Sequence, residues 1–142
     1  MITKQVSVFL ENKSGRLNEV TRILGEVKIN ISAFTIADTS EFGILRLIVS
    51  DPDKAYDVLK ENDFSVQITS VVLAKSPNKP GGLATMLEVL NKEEVFIEYM
   101  YAFSMGEEFA VIAIRPTNIQ RCVDVLLKHK DEFLYTDDDY QA

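Results

Sequence analysis

The sequence has one cysteine, one histidine and no tryptophan among its 142 residues. A lone Cys122 excludes an internal disulfide and a thiolate zinc cluster, and His129 alone cannot build a His-rich metal site. Basic residues are also few, since 15 Lys and Arg against 22 Asp and Glu give a net charge of −7. Because nucleic acids and anionic membranes attract basic surfaces, we expect neither as a partner.

Long apolar runs are missing as well. The longest have five or six residues, as in Phe109–Ile114, whereas a membrane-spanning helix needs about 20. The first twenty residues show no basic start followed by an apolar core, so we expect no secretory signal and a cytoplasmic protein. What is present, 46% apolar and 26% charged residues, indicates a globular chain of one ordinary domain or two small ones.

The chain contains an internal repeat. The segment Asn12-Lys13-Ser14-Gly15-Arg16-Leu17 recurs 66 residues later as Asn78-Lys79-Pro80-Gly81-Gly82-Leu83. The same offset aligns Val6 with Val72, Leu24 with Leu90 and Ile31 with Ile97, and an offset of 67 aligns Ala55–Leu59 with Cys122–Leu126. This ordered series indicates two copies of one unit.

Each copy has the periodicity of a strand, a helix, two strands, a helix and a strand. Val6, Val8 and Leu10 alternate as in a strand, and apolar residues then follow at helical spacing. For the first helix of each copy we predict Ser14 as N-cap and Pro80 as a helix start, and we predict that Asp51-Pro52 begins a second helix. The helical stripe is predicted to bury Leu17, Val20, Ile23, Leu24 and Val27 in the first copy.

This order predicts an α+β fold of two ferredoxin-like βαββαβ units. Each unit would have a four-stranded antiparallel sheet with both helices on one face and the opposite face bare. We assign residues 1–69 to the first unit and 70–142 to the second, with an acidic tail from about 136. Units this small are marginal alone, and Phe64–Ser76 joins their strands almost without a break, so we expect them to pack together.

The repeated Asn-Lys-(Ser/Pro)-Gly-x-Leu motif and the Ile29-Asn30-Ile31 strand start resemble the ACT-domain family, specifically small proteins of two tandem ACT domains. The resemblance covers about Ile2 to Tyr135. It implies a regulatory module that binds a small ligand, usually an amino acid, at the interface between paired units. It also implies that the loop of one unit faces the second strand of its partner.

Carried over residue by residue, the resemblance implies two sites of unequal strength. The stronger site would combine Asn78, Lys79, Pro80, Gly81, Gly82 and Leu83 with Asn30 and Ile31. The weaker site would combine Asn12, Ser14, Gly15, Arg16 and Leu17 with Phe96 and Ile97, because Phe96 replaces the equivalent Asn. Helix-start N–H groups would bind a carboxylate, glycines would allow close backbone approach, and Asn side chains would contact either end of a zwitterion.

Other candidate residues are interpreted as structural. Tyr99, Tyr101 and Phe103 replace Ala33, Thr35 and Ala37, and they would form core or interface, or wall a pocket. We interpret Cys122 as a small core residue, His129 as a residue near a helix C-terminus, and Asp137-Asp138-Asp139 as a solvated tail. We therefore predict no catalytic residue, no metal and no cofactor.

Several functions remain open. The leading prediction is a non-catalytic amino-acid sensor, a homodimer whose partner could be a metabolic enzyme or regulator. An oligomerisation scaffold with vestigial sites is the first alternative. A small enzyme would need a nucleophile with a base, and an RNA-binding module would need aromatic residues where Gly43–Ile48 has none.

Overall fold

A computed structural model of the chain describes residues 1–11, 15–38, 42–136 and Asp139. Within these residues six strands and five helices follow the order of two βαββαβ units. One strand is shared by both copies, and the closing strand of the second copy is reduced to a single bridge at Leu134. The elements are β1 (Ile2–Glu11), α1 (Arg16–Glu26), β2 (Ile31–Asp38), β3 (Phe42–Val49), α2 (Pro52–Glu61), β4 (Ser65–Pro77), α3 (Gly82–Lys92), β5 (Ile97–Met105), β6 (Phe109–Pro116), α4 (Ile119–Leu127) and α5 (Lys130–Phe133). No helix in these ranges is long and apolar enough to cross a membrane.

The chain divides into two compact units whose boundary lies inside two strands. The first unit is Lys4–Thr69, and the second joins Met1–Thr3 to the chain from Ser70 onward. As the sequence predicts, the closing strand of one copy continues into the opening strand of the next, because β4 runs unbroken from Ser65 to Pro77.

In the first unit the strands lie in the order β2-β3-β1-β4, and β3 pairs with both β1 and β2 in antiparallel register. The predicted helical stripe is confirmed at Val20, Ile23 and Leu24, which are buried against Val6 and Val8 of β1. Leu17 is a correction, because it is 41% exposed.

In the second unit the strands lie in the order β4-β6-β5, and Met86, Leu90 and Cys122 pack on the sheet residues Val72 and Ile114. The edge of β4 that a closing strand of the second unit would occupy is contacted by residues from both ends of the chain. Leu134 bridges Ala74, the Leu73 amide donates to the Met1 carbonyl (2.8 Å), and the Met1 amino group donates to the Tyr135 carbonyl (2.6 Å).

The four long helices begin in two different ways. Asp51 caps α2 with Pro52 as its first residue, as predicted, and Asn118 caps α4 in the same manner. In contrast, α1 and α3 follow the left-handed glycines Gly15 (φ 86°) and Gly81 (φ 82°). The prediction that α3 starts at Pro80 is wrong, since the helix begins at Gly82, and the predicted cap Ser14 lies outside the described residues.

The prediction of a bare second sheet face is also wrong. Gln5 and Ser7 point away from the helix-covered residues of β1, yet both are buried. The Gln5 side-chain amide donates to the Ser7 hydroxyl (3.3 Å) and the Thr69 hydroxyl (3.0 Å). In the second unit the corresponding face is apolar and equally buried, at Val71, Leu73, Val111 and Ala113.

Candidate functional site

The loop between β4 and α3 is a compact turn held by its own backbone. The Lys79 amide donates to the Pro77 carbonyl (2.9 Å), and the Gly82 amide donates to the Lys79 carbonyl (2.9 Å). The Thr85 amide and hydroxyl both donate to the Gly81 carbonyl (3.0 Å). No side chain of the described residues caps this helix. Because the Gly82 and Thr85 amides already donate within the loop, the first-turn amides left for an external acceptor are those of Leu83 and Ala84.

Asn78 braces this loop against the β5–β6 hairpin. Its backbone amide donates to the Glu108 carbonyl (3.1 Å), and its side-chain amide donates to the Gly106 carbonyl (2.5 Å). The contact of this side chain with a ligand stays a prediction. One of its hydrogens has a partner within the fold, which fixes the direction of the group.

The two glycines differ in what surrounds them. A Cβ on Gly82 would lie 2.0 Å from the Pro77 carbonyl oxygen, so the glycine is required by close packing of the loop on itself. The close approach expected of a ligand at Gly82 is therefore made by the protein backbone. At Gly81 a Cβ would meet no described atom within 4 Å, and only the left-handed φ favours glycine.

Beside this loop the second unit has a cavity of about 330 Å³. It includes Asn78, Lys79 and Leu83 of the predicted stronger site, whereas Pro80, Gly81 and Gly82 are not among its described lining residues. Its other walls are Ser76, Pro77, Met100, Tyr101, Ala102, Met105, Ala110 and Ile112. Of the aromatic stripe, Tyr101 is among these wall residues, and Tyr99 and Phe103 are not.

The sequence analysis missed Met100, Met105, Ala110 and Ile112 as lining residues. Strand alternation gives part of the signal, because Met100 and Ala102, two residues apart on β5, share one face of that strand. Ala102 pairs with Ile112 and Met105 with Ala110, so the floor of the cavity follows two rungs of the sheet on either side of the Ser104–Val111 pair.

Arg16, the first residue of α1, is held within the first unit. Its guanidinium lies 3.1 Å from the Glu19 carboxylate, 3.9 Å from that of Glu11, and 5.2 Å from the centroid of the Phe64 ring. These contacts direct it to a cavity of about 350 Å³ that is also lined by Phe9, Phe42, Asp63 and Ser65.

A second cavity in the first unit has a volume of about 440 Å³ and apolar walls. It is lined by Leu17, Asn18, Thr21, Ile31, Phe34, Leu45 and Leu47. It brings together Leu17 and Ile31, which the sequence analysis assigned to different sites. The cavity occupies the same place in the repeat as the one in the second unit, since Leu17 corresponds to Leu83.

Asn30 and Phe96 occupy equivalent backbone positions in the two copies. The Asn30 carbonyl accepts from the Ser50 amide (2.9 Å), and the Phe96 carbonyl accepts from the Thr117 amide (3.0 Å). The Asn30 side chain is exposed, and Phe96 is 69% exposed, while Ile97 pairs with Pro116. Asn12 and Ser14 lie outside the described residues, and the pairing of the loops with Asn30 and Phe96 stays a prediction.

The remaining candidate residues, Cys122 and His129, pack against other side chains of the fold. Cys122 is fully buried, as predicted, and this burial raises the pKa of its thiol to about 11. The His129 ring lies 5.8 Å from that of Phe133 at the start of α5. The described ranges contain no group of three or more His, Cys, Asp or Glu that could hold a metal ion.

Asp139 departs from the expected solvated tail. Its carboxylate accepts from the Thr136 amide (3.0 Å) and hydroxyl (2.9 Å) and lies 3.4 Å from the Lys75 ammonium. Partial burial opposes ionisation of this carboxyl, but the Thr136 hydrogen bonds and the Lys75 charge together outweigh it and lower its pKa. Asp137 and Asp138 lie outside the described residues.

Comparison with known families gives a match over almost the whole sequence. The family model described as an ACT domain pair matches residues 1–141. This chain belongs to the ACT domain pair family. The ACT pair is also similar to a solved structure, protein BT0572 from Bacteroides thetaiotaomicron, with 53% identity, a TM-score of 0.90, and coverage of 100% of this chain and 98% of that one.

More distant structures share the fold of this ACT pair. The regulatory subunit of aspartate kinase from Thermus thermophilus, in a ligand-free form, has a TM-score of 0.65 at 12% identity. The match covers 90% of this chain and 94% of that one. The corresponding subunit from Thermus flavus has a TM-score of 0.62 at 13% identity, with the same coverage. No curated protein sequence matches the ACT pair.

Proposed function

We propose that this ACT pair is a non-catalytic regulatory protein that binds a free amino acid at the cavity beside the β4–α3 loop. The observation that carries the proposal is that a polar loop with hydrogen-bond donors adjoins an apolar cavity wall. Lys79 and the uncapped start of α3 lie at the loop, and apolar residues of β5 and β6 line the adjoining space. An amino acid has the matching division into a charged end and a side chain.

The charged end of the ligand would lie against the loop. The Lys79 ammonium and the Leu83 and Ala84 amides in the first turn of α3 are donors, and the positive end of the helix dipole favours a carboxylate. The Asn78 side-chain oxygen is an acceptor that can bind an ammonium group. Its orientation is already set by the Gly106 carbonyl, so little conformational entropy is lost on binding.

The regulatory part of the proposal rests on family membership and on the shared fold. A ligand can shift a conformational equilibrium only through different affinities for the two states. We propose that the amino acid biases the arrangement of a cytoplasmic homodimer and thereby a partner, such as a metabolic enzyme or another regulator. The fold is shared with the regulatory subunit of aspartate kinase. This likeness supports a regulatory role, but it does not identify the partner of this chain.

A thermal-shift screen against the twenty amino acids tests this function. A ligand at 100 times its dissociation constant stabilises the folded chain by about 2.7 kcal/mol. The true ligand should therefore clearly raise the midpoint temperature of thermal unfolding. The bound amino acid should also be recovered unchanged after incubation, because no catalysis is proposed. Absence of any shift would instead favour an oligomerisation scaffold with vestigial sites.

The contribution of Asn30 and Ile31 to the same site is a separate prediction. If they complete the stronger site, Asn30→Ala should weaken binding of the amino acid found in the screen by tenfold or more. Asn12→Ala, the matched change in the other copy, should have a much smaller effect. Isothermal titration of both variants decides, and equal losses of affinity would contradict the asymmetry.

A further inference from the structure

We propose that the second-unit cavity selects amino acids with an uncharged, apolar side chain. This inference rests on the proposed function and adds the chemical class of the ligand. It is carried by the composition of the cavity wall, and by the contrast with a neighbouring cavity of the same unit.

The wall of the cavity contains a cation but no anion. Among the described lining residues Lys79 is the sole charged one, and Ser76, Asn78 and Tyr101 are the polar ones. A side-chain ammonium or guanidinium placed in this space would meet Lys79 and no carboxylate. Because burying an unpaired charge is costly, lysine and arginine are disfavoured as ligands.

A cavity on the other side of the β5–β6 hairpin has the opposite character. It measures about 450 Å³ and is lined by Glu107, Glu108 and Asp139 together with Phe109 and Tyr135, among others. The acidic groups of this part of the chain therefore line a different space. An acidic ligand side chain would compete with the ligand's own carboxylate for Lys79, the one cation of the cavity wall described above.

The floor of the cavity offers apolar surface of adaptable shape. Met105 and Leu83 at its margin are 66% and 39% exposed. Covering such surface with an apolar ligand group is favourable in proportion to the area removed from water. Met100 and Met105 have flexible, polarisable side chains that adjust to linear, branched or aromatic groups, so shape is less restricted than charge.

Small residues keep this space open. Ala102 and Ala110 lie on the two rungs of the floor, and Ala102 is exposed. In the first copy the residue 66 positions before Ala102 is Ile36, which is 45% exposed and is not among the described lining residues of either first-unit cavity. A large side chain at 102 should therefore fill the cavity from its open side without disturbing the buried core.

A matched pair of ligands tests the charge selectivity. L-norleucine and L-lysine have side chains of similar length that end in a methyl group and an ammonium group. In thermal-shift and titration experiments on the full chain, norleucine, leucine, methionine or phenylalanine should bind, and lysine and glutamate should bind at least tenfold more weakly. Preferential binding of lysine or glutamate would overturn this inference and leave the proposed function standing.

A matched pair of variants tests the location. Ala102→Trp should abolish the shift given by the apolar ligand, whereas Ile36→Trp at the equivalent edge position of the first copy should retain it. Ala102→Leu, a smaller change, should weaken binding tenfold or more. Its midpoint temperature of thermal unfolding without added amino acid should stay close to that of the parent chain. Unchanged binding in folded Ala102→Leu and Ala102→Trp would overturn the assignment to this cavity, and absence of binding by any amino acid would overturn the proposed function as well.

Discussion

Gly81 and Gly82 are adjacent residues with different structural roles. Gly81 has a left-handed backbone in open surroundings, whereas Gly82 is buried with no room for a Cβ beside the Pro77 carbonyl. Both motifs of the repeat contain the first glycine, but Arg16 replaces the second in the first copy. The second unit thus needs a glycine at a position where the first copy has a large side chain.

This difference predicts opposite tolerance to substitution. Gly81→Asn should cost less than about 1 kcal/mol of unfolding free energy, because Asn adopts the left-handed region readily. Gly82→Ala should cost about 3 kcal/mol, because its methyl group forces the Pro77 backbone to move. Urea denaturation of the two variants measures both values, and a smaller loss for Gly82→Ala would contradict the packing argument.

Cys122 makes the stability of the chain depend on pH in alkaline solution. Burial raises its thiol pKa from 9.0 to about 11. In the unfolded chain the thiol ionises from about pH 9, whereas in the folded chain it keeps its proton to about pH 11. The unfolded state then binds fewer protons, so the free energy of unfolding falls as pH rises through this window.

We predict that the stability difference between the parent chain and Cys122→Ala shrinks steadily between pH 8 and pH 10.5. Alanine is the suitable control because Ala55 occupies the equivalent buried position in the first copy. Comparing the two chains at each pH cancels the titration of Tyr and Lys, which both chains share. A difference that stays constant across the range would show that the thiol does not titrate as inferred.

At the scale of elements, the chain uses side-chain caps for two of its four long helices and left-handed glycines for the other two. The Asp51 carboxylate accepts from the Lys54 amide (3.1 Å), and the Asn118 side chain accepts from the Arg121 amide (3.0 Å). The helices that begin at the candidate loops, α1 and α3, have no such cap among the described residues. At α3, an anionic ligand group could take the place of a cap.

The capped helices give a direct prediction. Asp51→Ala and Asn118→Ala should each lower the free energy of unfolding by about 1 kcal/mol, because each leaves a helix-start amide without its acceptor. Glu61→Ala, at the exposed last residue of α2, should change it by less than about 0.5 kcal/mol. Chemical denaturation measures all three, and a loss at Asp51 no larger than at Glu61 would refute a stabilising cap.

Helix starts that depend on neighbouring residues could be predicted from the sequence, whereas contacts that depend on strand pairing could not. Asp51-Pro52 predicted the start of α2 because cap and proline act within one helical turn. Pro80 misled, because the left-handed φ of Gly81 delays the helix by two residues. Nothing near Gln5 in the sequence signals that its sheet face is covered. At the candidate site the motif identified Asn78, Lys79 and Leu83, whereas Met105 and Ala110 become neighbours only through strand pairing.

At the scale of the whole molecule, the two copies in the sequence do not coincide with the two units in space. The repeat divides the chain near residue 69, but β1 and β4 both pass through the boundary between the units. Met1–Thr3 belong to the second unit, where Met1 is hydrogen-bonded to Leu73 and Tyr135. Pairing between residues this far apart in sequence leaves no local signal, which is why the repeat alone could not indicate it.

The shared strands predict that the two halves of the chain are not equally self-sufficient. A fragment of residues 1–77 keeps all of the first unit, whereas a fragment of residues 70–142 lacks the Met1 carbonyl that accepts from the Leu73 amide. The second fragment should therefore unfold at lower urea, and the Leu73 amide should exchange with solvent much faster than in the full chain. Hydrogen exchange and denaturation of the separate fragments measure this. If residues 70–142 alone protect Leu73 as well as the full chain does, Met1–Thr3 are not needed to close that sheet.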